Sequence, residues 1–416
     1  MSTPEVGHQN ETDICRGVRG FAPPFQVQRI PSGIGCKTLP AVGIFRNWLL
    51  PISETFIRAQ VDALTRFDPV YIGCGLCNGL EISRHPVVVM RAGILGRVEK
   101  LLLRGTGLAP TLVSGLRKHN LALLHAHFGP DGALAMPLAR TLKIPLLVTF
   151  HGYDASLTDD SLRQDLYGRW YLRRRNGLAE AATSFLAVSQ FIAERLLEQG
   201  FSPEKVQVHY IGVDTEEFKP RCQVPREKTV LFVGRLVEKK GCEYLIRAME
   251  PIQKAMPEVE LVMVGDGPLR RPLENLARSL LRRFTFTGPQ PGTTVRDWMS
   301  KAAVLCTPSI IAASGDAEGF GMVFIEAQSS GLPVVSFSSG GIPEAVKHGE
   351  SGYLAPEKDW RALSDYIARL LVDEELWARF SRAGRSLVEK AFNLKMQTAK
   401  LERIYEETLV AKGSRS

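Results

Sequence analysis

The sequence has 416 residues, of which 44 % are hydrophobic and 23 % charged, which is typical of a globular protein of two or three domains with full apolar cores. No apolar run approaches the roughly 18 residues that cross a bilayer, and the polar N-terminus lacks the apolar segment of a signal peptide. The seven cysteines are odd in number and scattered, which fits a reducing compartment better than a disulfide framework, so we expect a cytoplasmic protein.

The net charge of +8 is concentrated in the first half of the chain, where residues 1–212 carry 23 Lys and Arg against 17 Asp and Glu. A basic half suits nucleic acid, anionic lipid or a phosphorylated substrate. No helix-turn-helix, RNA-recognition or zinc-finger pattern occurs, so nucleic acid is the least favoured of the three partners.

In chain order, residues 1–38 show no periodicity and predict a poorly ordered tail. Short β-branched runs then alternate with longer amphipathic stretches, which predicts an α/β fold with parallel sheets covered on both faces. The predicted strands are 41–45, 69–73, 86–90, 121–126, 145–150, 184–188 and 206–210 in the first half, and 229–234, 259–265, 283–288, 302–307 and 332–337 in the second.

A polar segment with two prolines, residues 211–228, predicts a linker between two doubly wound, Rossmann-like domains at 39–215 and 216–392. We expect residues 393–416 to form a helix that packs back toward the first domain. Ligands in such sheets bind at the carboxyl ends of the strands, so the site is expected in the cleft between the domains.

The densest chemical pattern is the segment 316–335, in which Glu318 and Glu326 flank a glycine loop and the start of an apolar helix. Glycines let a ligand approach the backbone, and the helix start favours a pyrophosphate. Glu318 is then placed near a transferred group, and Glu326 is placed to accept two hydrogen bonds from a ribose diol. Either glutamate alone is more simply explained as a solvated side chain, but the pair and the later Gly-Gly-Ile-Pro-Glu (340–344) favour a site.

Glu-x7-Glu after Glu-Gly-Phe-Gly, followed by Gly-Leu-Pro-Val-Val and Gly-Gly-Ile-Pro-Glu, resembles glycosyltransferase family 4, which has the two-domain GT-B fold. The segments GRLVEKKG (234–241), GDGP (265–268) and GVDTEEFKP (212–220) are similar to further motifs of that family. The resemblance covers residues 40–410. It implies an acceptor-side first domain and a second domain that binds a nucleotide sugar.

The resemblance and the spacing together give the candidate site residues. Arg235 and Lys240 are expected to neutralise the diphosphate. The candidate catalytic residues are Glu318, His151, Arg235 and Lys240. The candidate donor-binding residues are Glu326, Gly319, Phe320, Gly321, Met322, Gly234, Gly265 and Gly267. The candidates on the acceptor side of the cleft are His127, Asp154, Ser53 and Glu54.

The segment SETFI (53–57) stands where many family members have a glycine-rich loop, and this chain lacks that glycine pair. Together with HAHFG and HGYD, it resembles the exopolysaccharide branch of the family, of the colanic-acid and amylovoran type. No Asp-x-Asp is present, so we expect no metal site and no cofactor. The basic, apolar segments 169–175 and 91–105 fit either a solvated helix face or contact with anionic lipid or a lipid-diphosphate acceptor.

The expected function is retaining transfer of a hexose from a nucleotide-diphosphate sugar to a saccharide or lipid-linked saccharide in cell-surface polysaccharide synthesis, with peripheral contact to the inner face of an anionic membrane. The alternatives are a nucleotide-sugar epimerase or phosphorylase on the same fold, or a non-catalytic membrane-surface scaffold. A phosphorylase needs a Schiff-base lysine that the sequence does not place. A scaffold is disfavoured because all five polar candidates are intact: Glu318, Glu326, Arg235, Lys240 and His151.

Overall fold

The computed structural model describes residues 39–77, 79–82, 84–221 and 224–413; the predicted tail at 1–38 lies outside them. The first domain holds a seven-stranded parallel sheet in the order β3-β2-β1-β4-β5-β6-β7. Its strands are β1 Ala41–Leu49, β2 Asp68–Leu76, β3 Val87–Val89, β4 Leu121–His127, β5 Leu146–Phe150, β6 Ser184–Ala187 and β7 Val206–Val208.

The connections of this sheet are helical, as parallel crossovers require. The helices are α1 Thr55–Asp62, α2 Ile94–Thr106, α3 Pro110–Arg117, α4 Gly129–Leu142, α5 Tyr153–Ser156, α6 Asp159–Leu162, α7 Leu166–Ala181 and α8 Gln190–Glu198, with 3₁₀ turns at Ile52–Glu54 and Pro203–Lys205. The central strands are buried on both faces, because helices cover each side.

The second domain holds a six-stranded parallel sheet in the order β10-β9-β8-β11-β12-β13. Its strands are β8 Thr229–Val233, β9 Glu260–Val264, β10 Phe284–Gly288, β11 Val304–Cys306, β12 Val334–Phe337 and β13 Gly352–Ala355. Its helices are α9 Cys242–Ala255, α10 Arg270–Leu280, α11 Gly292–Lys301, α12 Met322–Ser329, α13 Ile342–Ala345, α14 Trp360–Val372 and α15 Glu374–Ala391, with a 3₁₀ turn at Glu238–Lys240.

Two doubly wound sheets confirm the predicted fold class. Each of the twelve predicted strands overlaps a strand of the structure, whereas the sequence analysis missed β13. This strand has only four residues and begins with a glycine, so its local strand signal is weak. Strand β13 forms because its backbone pairs with the edge of β12, with Val334 opposite Gly352 and Phe337 opposite Ala355.

The chain passes between the domains twice, and the two passages lie side by side. The backbone N–H of Val213 donates to the Phe392 carbonyl at 2.8 Å, and that of Leu394 donates to the Val213 carbonyl at 2.9 Å. Arg385 ties this region to the second domain by donating to the carbonyls of Phe218 and Ser329. The crossing is therefore a hydrogen-bonded pair of segments.

After the second crossing, helix α16 Leu394–Gly413 runs along the first domain and packs on α1 and β4. The Glu402 carboxylate accepts the backbone N–H groups of Thr65 and Arg66, both at 2.6 Å. Tyr405 is fully buried, with its hydroxyl 2.6 Å from Nδ1 of His125. Across the part of the chain that the structure describes, no helix combines the length and the apolar character needed to cross a membrane.

Candidate functional site

The two sheets place their switch points, where the strand order reverses, at β1/β4 and β8/β11. Ligands of doubly wound sheets bind beyond the carboxyl ends of the strands at such points. Across the cleft, the segments that follow β5 and β6 in the first domain touch the loop that follows β11 in the second. The Ser189 hydroxyl donates to the Gly319 carbonyl at 2.5 Å, and the Thr158 N–H donates to the Ser314 carbonyl at 3.1 Å.

Arg235 follows β8 at this edge and is exposed. Its guanidinium makes no hydrogen bond or ion pair with any residue that the structure describes. A planar five-donor group held at the switch point without a partner is suited to bidentate binding of a phosphate.

Gly265 and Gly267 lie beside Arg235 but are explained by backbone packing. Gly265 has a φ of +133°, and a Cβ there would meet the carbonyl of Gly234. A Cβ on Gly267 would meet the carbonyl of Leu236 at 2.5 Å. These glycines let the loop after β9 lie against the loop after β8, which carries Arg235. A donor contact of Gly234, Gly265 or Gly267 stays a prediction.

Glu318 and Lys240 form an ion pair in the cleft, with both side chains largely buried. The Ser309 hydroxyl lies 3.5 Å from the same carboxylate oxygen. Burial alone would raise the pKa of Glu318, but the ammonium groups of Lys240 and Lys239 outweigh it and hold that pKa below its usual range. Glu318 is therefore an anion at neutral pH, and the neighbouring ammonium of Lys240 is available to a phosphate that displaces the pair.

The glycine loop after Glu318 is set by contacts across the cleft. A Cβ on Gly319 would meet the carbonyl of His151 in the first domain, so only glycine fits there. Gly321 adopts a φ of +90° and directly precedes Met322, the first residue of α12. The amide groups of the first turn of α12 therefore start at the loop, where the helix dipole favours an anion.

Phe320 differs from its glycine neighbours because its ring turns away from the loop into the domain junction. The ring lies 5.5 Å from that of Tyr210 and 5.1 Å from that of Phe392, and the residue is 2 % exposed. Its predicted donor contact is thus limited to the backbone, and the side chain anchors the loop to the crossing segments.

Glu326 lies just over one turn into α12 and is half-buried. Its carboxylate makes no hydrogen bond or ion pair with the described residues. Burial, with a smaller contribution from the negative charge of Glu217, raises the pKa of Glu326 to about 7. A half-buried carboxylate without donors is unusual, because it loses water without compensation; it can accept two hydrogen bonds from a diol.

The first domain contributes a histidine pair to the cleft. Nδ1 of His127 lies 3.0 Å from Nε2 of His151, and the rings stack at 5.2 Å. Burial, followed by nearby positive charge that includes Arg46, lowers both pKa values well below the usual range. Both rings are therefore neutral. Nδ1 of His151 and Nε2 of His127 are buried without a hydrogen-bond partner.

Two family models match the chain: Glycosyltransferase Family 4 over residues 53–217 and Glycosyl transferases group 1 over residues 214–387. The amylovoran biosynthesis glycosyltransferase AmsK of Erwinia amylovora is 31 % identical over 309 residues, which are 72 % of this chain and 74 % of AmsK. The chain belongs to glycosyltransferase family 4. The predicted family is confirmed.

Further relatives agree with the predicted branch. WcaL of Escherichia coli K12, named as a candidate colanic acid biosynthesis glycosyltransferase, is 33 % identical over 64 % of this chain and 66 % of WcaL. A GDP-mannose-dependent phosphatidylinositol monomannoside mannosyltransferase of Mycobacterium tuberculosis is 26 % identical over 87 % of this chain and 94 % of its own length. AmsK and WcaL confirm the resemblance to the exopolysaccharide branch.

Solved structures show the same fold. Anabaena HepE, crystallised with UDP-glucose, superposes with a TM-score of 0.70 at 22 % identity, over 89 % of this chain and 99 % of HepE. Sucrose-phosphate synthase of Thermosynechococcus elongatus gives a TM-score of 0.71 at 22 % identity, over 89 % of this chain and all of that protein. At these identities the likeness establishes the GT-B architecture.

In this family 4 glycosyltransferase, Asp154 of the His-Gly-Tyr-Asp segment serves the backbone. Its buried carboxylate accepts the N–H groups of Gly152 at 2.8 Å and of His151 and Gly129 at 3.0 Å. Burial raises the pKa of Asp154 to about 6 despite these hydrogen bonds. Asp154 therefore holds the turn that presents His151, and it reaches the cleft only through that turn.

The SETFI segment replaces the glycine loop with a buried ion cluster. Arg46, at the carboxyl end of β1, donates from Nε to Glu54 at 2.9 Å and also pairs with Asp131 at the start of α4. All three residues are at most 4 % exposed. Ser53 lies in the same 3₁₀ turn as Glu54 but is exposed, so the structure brings Glu54 to the cleft floor and leaves Ser53 at the surface.

The sequence analysis missed Arg46, which directly follows the predicted strand 41–45, and Asp131, which lies in the first turn of α4. It also gave Glu344 no role. The Glu344 carboxylate accepts the N–H groups of Gln190 at 2.7 Å and Phe191 at 3.1 Å, which open α8 in the first domain, and the Tyr210 hydroxyl at 3.0 Å. It caps a helix of the opposite domain, and no local pattern reveals such a contact.

Among the residues that the structure describes, no three His, Cys, Asp or Glu side chains form a group that could hold a metal ion. The metal-independence of the transferase stays a prediction.

Proposed function

We propose that this transferase moves a hexose from a nucleoside-diphosphate sugar to a hydroxyl acceptor with retention of the anomeric configuration. The observation that carries the proposal is the set of unsatisfied polar groups in the second domain: Arg235 and Glu326 have no partner among the described residues. A phosphate and a ribose diol are the groups that would satisfy them.

The proposed donor pose follows from these groups. The diphosphate lies against Arg235, Lys240 and the first turn of α12, and the ribose hydroxyls donate to Glu326. Lys240 exchanges its ion pair with Glu318 for the phosphate, which leaves the Glu318 anion beside the sugar. His151, neutral and held by Asp154, faces the sugar from the first domain.

The proposed reaction needs no enzyme nucleophile. The bond from the anomeric carbon to the phosphate oxygen breaks, the acceptor oxygen bonds to that carbon on the same face, and the acceptor proton passes to a leaving phosphate oxygen. Negative charge grows on the diphosphate, so the cations and the α12 amides supply the main stabilisation of the transition state. We propose that these groups act without a divalent metal.

For the acceptor, we propose a saccharide or lipid-linked saccharide of cell-surface polysaccharide synthesis, used at the inner face of the cell membrane. The names of AmsK and WcaL support the polysaccharide, and that of the mycobacterial mannosyltransferase supports a lipid-anchored acceptor.

The test starts with a thermal-shift screen of nucleotide sugars. A donor that binds the folded state raises the melting temperature, and Glu326→Ala and Arg235→Met should each reduce that shift. The nucleotide sugar found in the screen is then used for synthesis, and the one-bond C1–H1 coupling of the product reports its anomeric configuration. Inversion would overturn the retaining assignment, and a shift that both variants leave unchanged would overturn the donor pose.

A further inference from the structure

Helix α2, Ile94–Thr106, has three distinct faces. At about 100° per residue, the buried residues Gly96, Glu99 and Leu103 form a narrow stripe toward the domain. The basic residues Arg97, Lys100 and Arg104 form a second stripe beside it. The remaining arc carries five large apolar side chains, listed here in order: Ile94, Leu95, Val98, Leu101 and Leu102.

The apolar arc faces solvent and not the core. Ile94 is 78 % exposed, Leu95 69 % and Leu101 67 %, and Val98 and Leu102 are exposed as well. Leu108, two residues beyond the end of the helix, is also exposed. A globular protein rarely leaves such a contiguous apolar patch in water unless another surface covers it.

The segment of sequence that contains α2 is strongly basic. Between residues 82 and 130 the only acidic residue is Glu99, and its buried carboxylate accepts the N–H groups of Thr111 and Leu112, at 2.8 and 3.1 Å, at the start of α3. The same interval holds seven basic residues: Arg84, Arg91, Arg97, Lys100, Arg104, Arg117 and Lys118. An exposed apolar stripe bordered by a stripe of basic residues complements an anionic bilayer surface.

The C-terminal end of α2 is connected to the cleft. The Arg104 guanidinium lies 5.1 Å above the ring of Tyr167, and the Tyr167 hydroxyl lies 3.4 Å from Asp131, which pairs with Arg46. Trp170 donates to the Arg104 carbonyl at 2.9 Å. Tyr167 therefore bridges Arg104 of α2 and the buried ion cluster of Arg46, Glu54 and Asp131 on the cleft floor.

We propose that α2 lies in the surface of an anionic lipid bilayer, with Ile94, Leu95 and Leu101 inserted among the acyl chains and the basic stripe at the headgroups. The first domain is then oriented so that a lipid-anchored acceptor enters the cleft past Tyr167. Only this second statement rests on the proposed function, because bilayer binding needs no transfer reaction.

The experiment uses the full chain and vesicles of phosphatidylcholine, with or without phosphatidylglycerol. L95E/L101E removes two inserted side chains, and V372E/V410E is the matched control, because Val372 and Val410 are 67 % and 69 % exposed outside the patch. Co-sedimentation should require the anionic lipid and weaken with salt. L95E/L101E should lower the partition coefficient by about tenfold or more, and the control should match the wild type.

Equal binding by L95E/L101E and the control, or binding that ignores lipid charge, would overturn the proposal. Sedimentation velocity without vesicles tests a protein interface: a wild-type dimer that L95E/L101E dissociates would assign the patch to a second copy instead. The thermal shift caused by a nucleotide sugar should be the same in both double variants. A lost lipid response with an intact donor response thus separates failure at the membrane from failure of the donor site.

Discussion

The two walls of the cleft handle charge in opposite ways. On the first-domain wall, Arg46 is fully buried and paired with both Glu54 and Asp131. On the second-domain wall, Arg235 is exposed and Glu326 half-buried, and neither has a partner among the described residues. The first wall pairs Arg46 within the protein, whereas the second wall pairs Lys240 with Glu318 but leaves Arg235 and Glu326 without a partner among the described residues.

The difference separates structural from functional charge. A buried pair costs desolvation and contributes little net stability, but removal of one partner leaves the others uncompensated. A charge without a partner can be removed with little effect on folding and a large effect on ligand binding. The same substitution should therefore produce opposite results on the two walls.

The largest effect is expected for stability at Arg46. Arg46→Met leaves Glu54 and Asp131 buried without their cation, so the free energy of unfolding should fall by about 3–5 kcal/mol. Urea denaturation measures it. Arg235→Met is the matched control and should change stability by no more than about 0.5 kcal/mol; similar losses for the two variants would remove the distinction between the walls.

A large catalytic effect is expected at Arg235 and Lys240. Arg235→Met and Lys240→Met each remove a cation that would stabilise the leaving diphosphate, so each should reduce turnover by about 10²–10³-fold. Lys239→Met is the control, because Lys239 pairs with Asp316 at 2.9 Å and should lose less. Steady-state kinetics with the identified donor decide the matter, and wild-type turnover in either variant would exclude that cation from the phosphate site.

Sugar-facing groups should affect turnover without affecting the nucleotide. We expect Glu318→Gln and His151→Ala to bind nucleoside diphosphate as the wild type does, and to lose turnover on the order of 100-fold because the sugar is no longer positioned. Calorimetry with the diphosphate tests the expected binding, and single-turnover rates test the expected loss of turnover. A variant that weakens diphosphate binding would move its residue to the phosphate end of the site.

Glu326 should show the conflict between stability and binding. Glu326→Ala should weaken donor binding by about 1–3 kcal/mol through lost charge-assisted hydrogen bonds, as measured by calorimetry. Because the folded pKa is raised to about 7, the stabilising contribution of the protonated group is lost as the pH rises through that value.

Glu326→Gln cannot ionise, so it should raise the melting temperature of the ligand-free protein at about pH 8 and change it little at about pH 5. Donor affinity of the wild type should fall about tenfold between pH 8 and 6, because one pKa unit corresponds to a factor of ten in the ionised fraction. A donor affinity that is independent of pH would place Glu326 away from the ribose.

The smallest expected effect is that of a chelator. If Arg235, Lys240 and the α12 dipole offset the diphosphate charge, excess EDTA should leave turnover unchanged. Loss of activity that Mg²⁺ or Mn²⁺ restores would show that the second wall lacks enough positive charge of its own.

The sequence by itself determined the fold, the family and the second-domain wall. Strand periodicity is local, and the Gly-Arg pair directly follows β8, whereas the Glu-Gly-Phe-Gly and Glu-x7-Glu segments are short patterns in the loop and helix between β11 and β12. Short-range spacing is therefore enough to identify each segment. Glu318 and Lys240 were chosen separately, and the sheet brings them together because strands β8 and β11 are neighbours.

Only the tertiary structure decided the first-domain wall and the junction. Arg46 pairs with Asp131, which is 85 residues away in sequence, and Glu344 caps a helix that begins 154 residues earlier in the chain. Phe320 carries the same local signal as its glycine neighbours, yet its ring packs into the crossing between the domains. The sequence identified α2 as basic and apolar, but which of its faces met water depended on how the rest of the domain covered Gly96, Glu99 and Leu103. Partner choice for a charge or a ring depends on which distant elements the sheets bring together, and local sequence spacing carries no information about that distance.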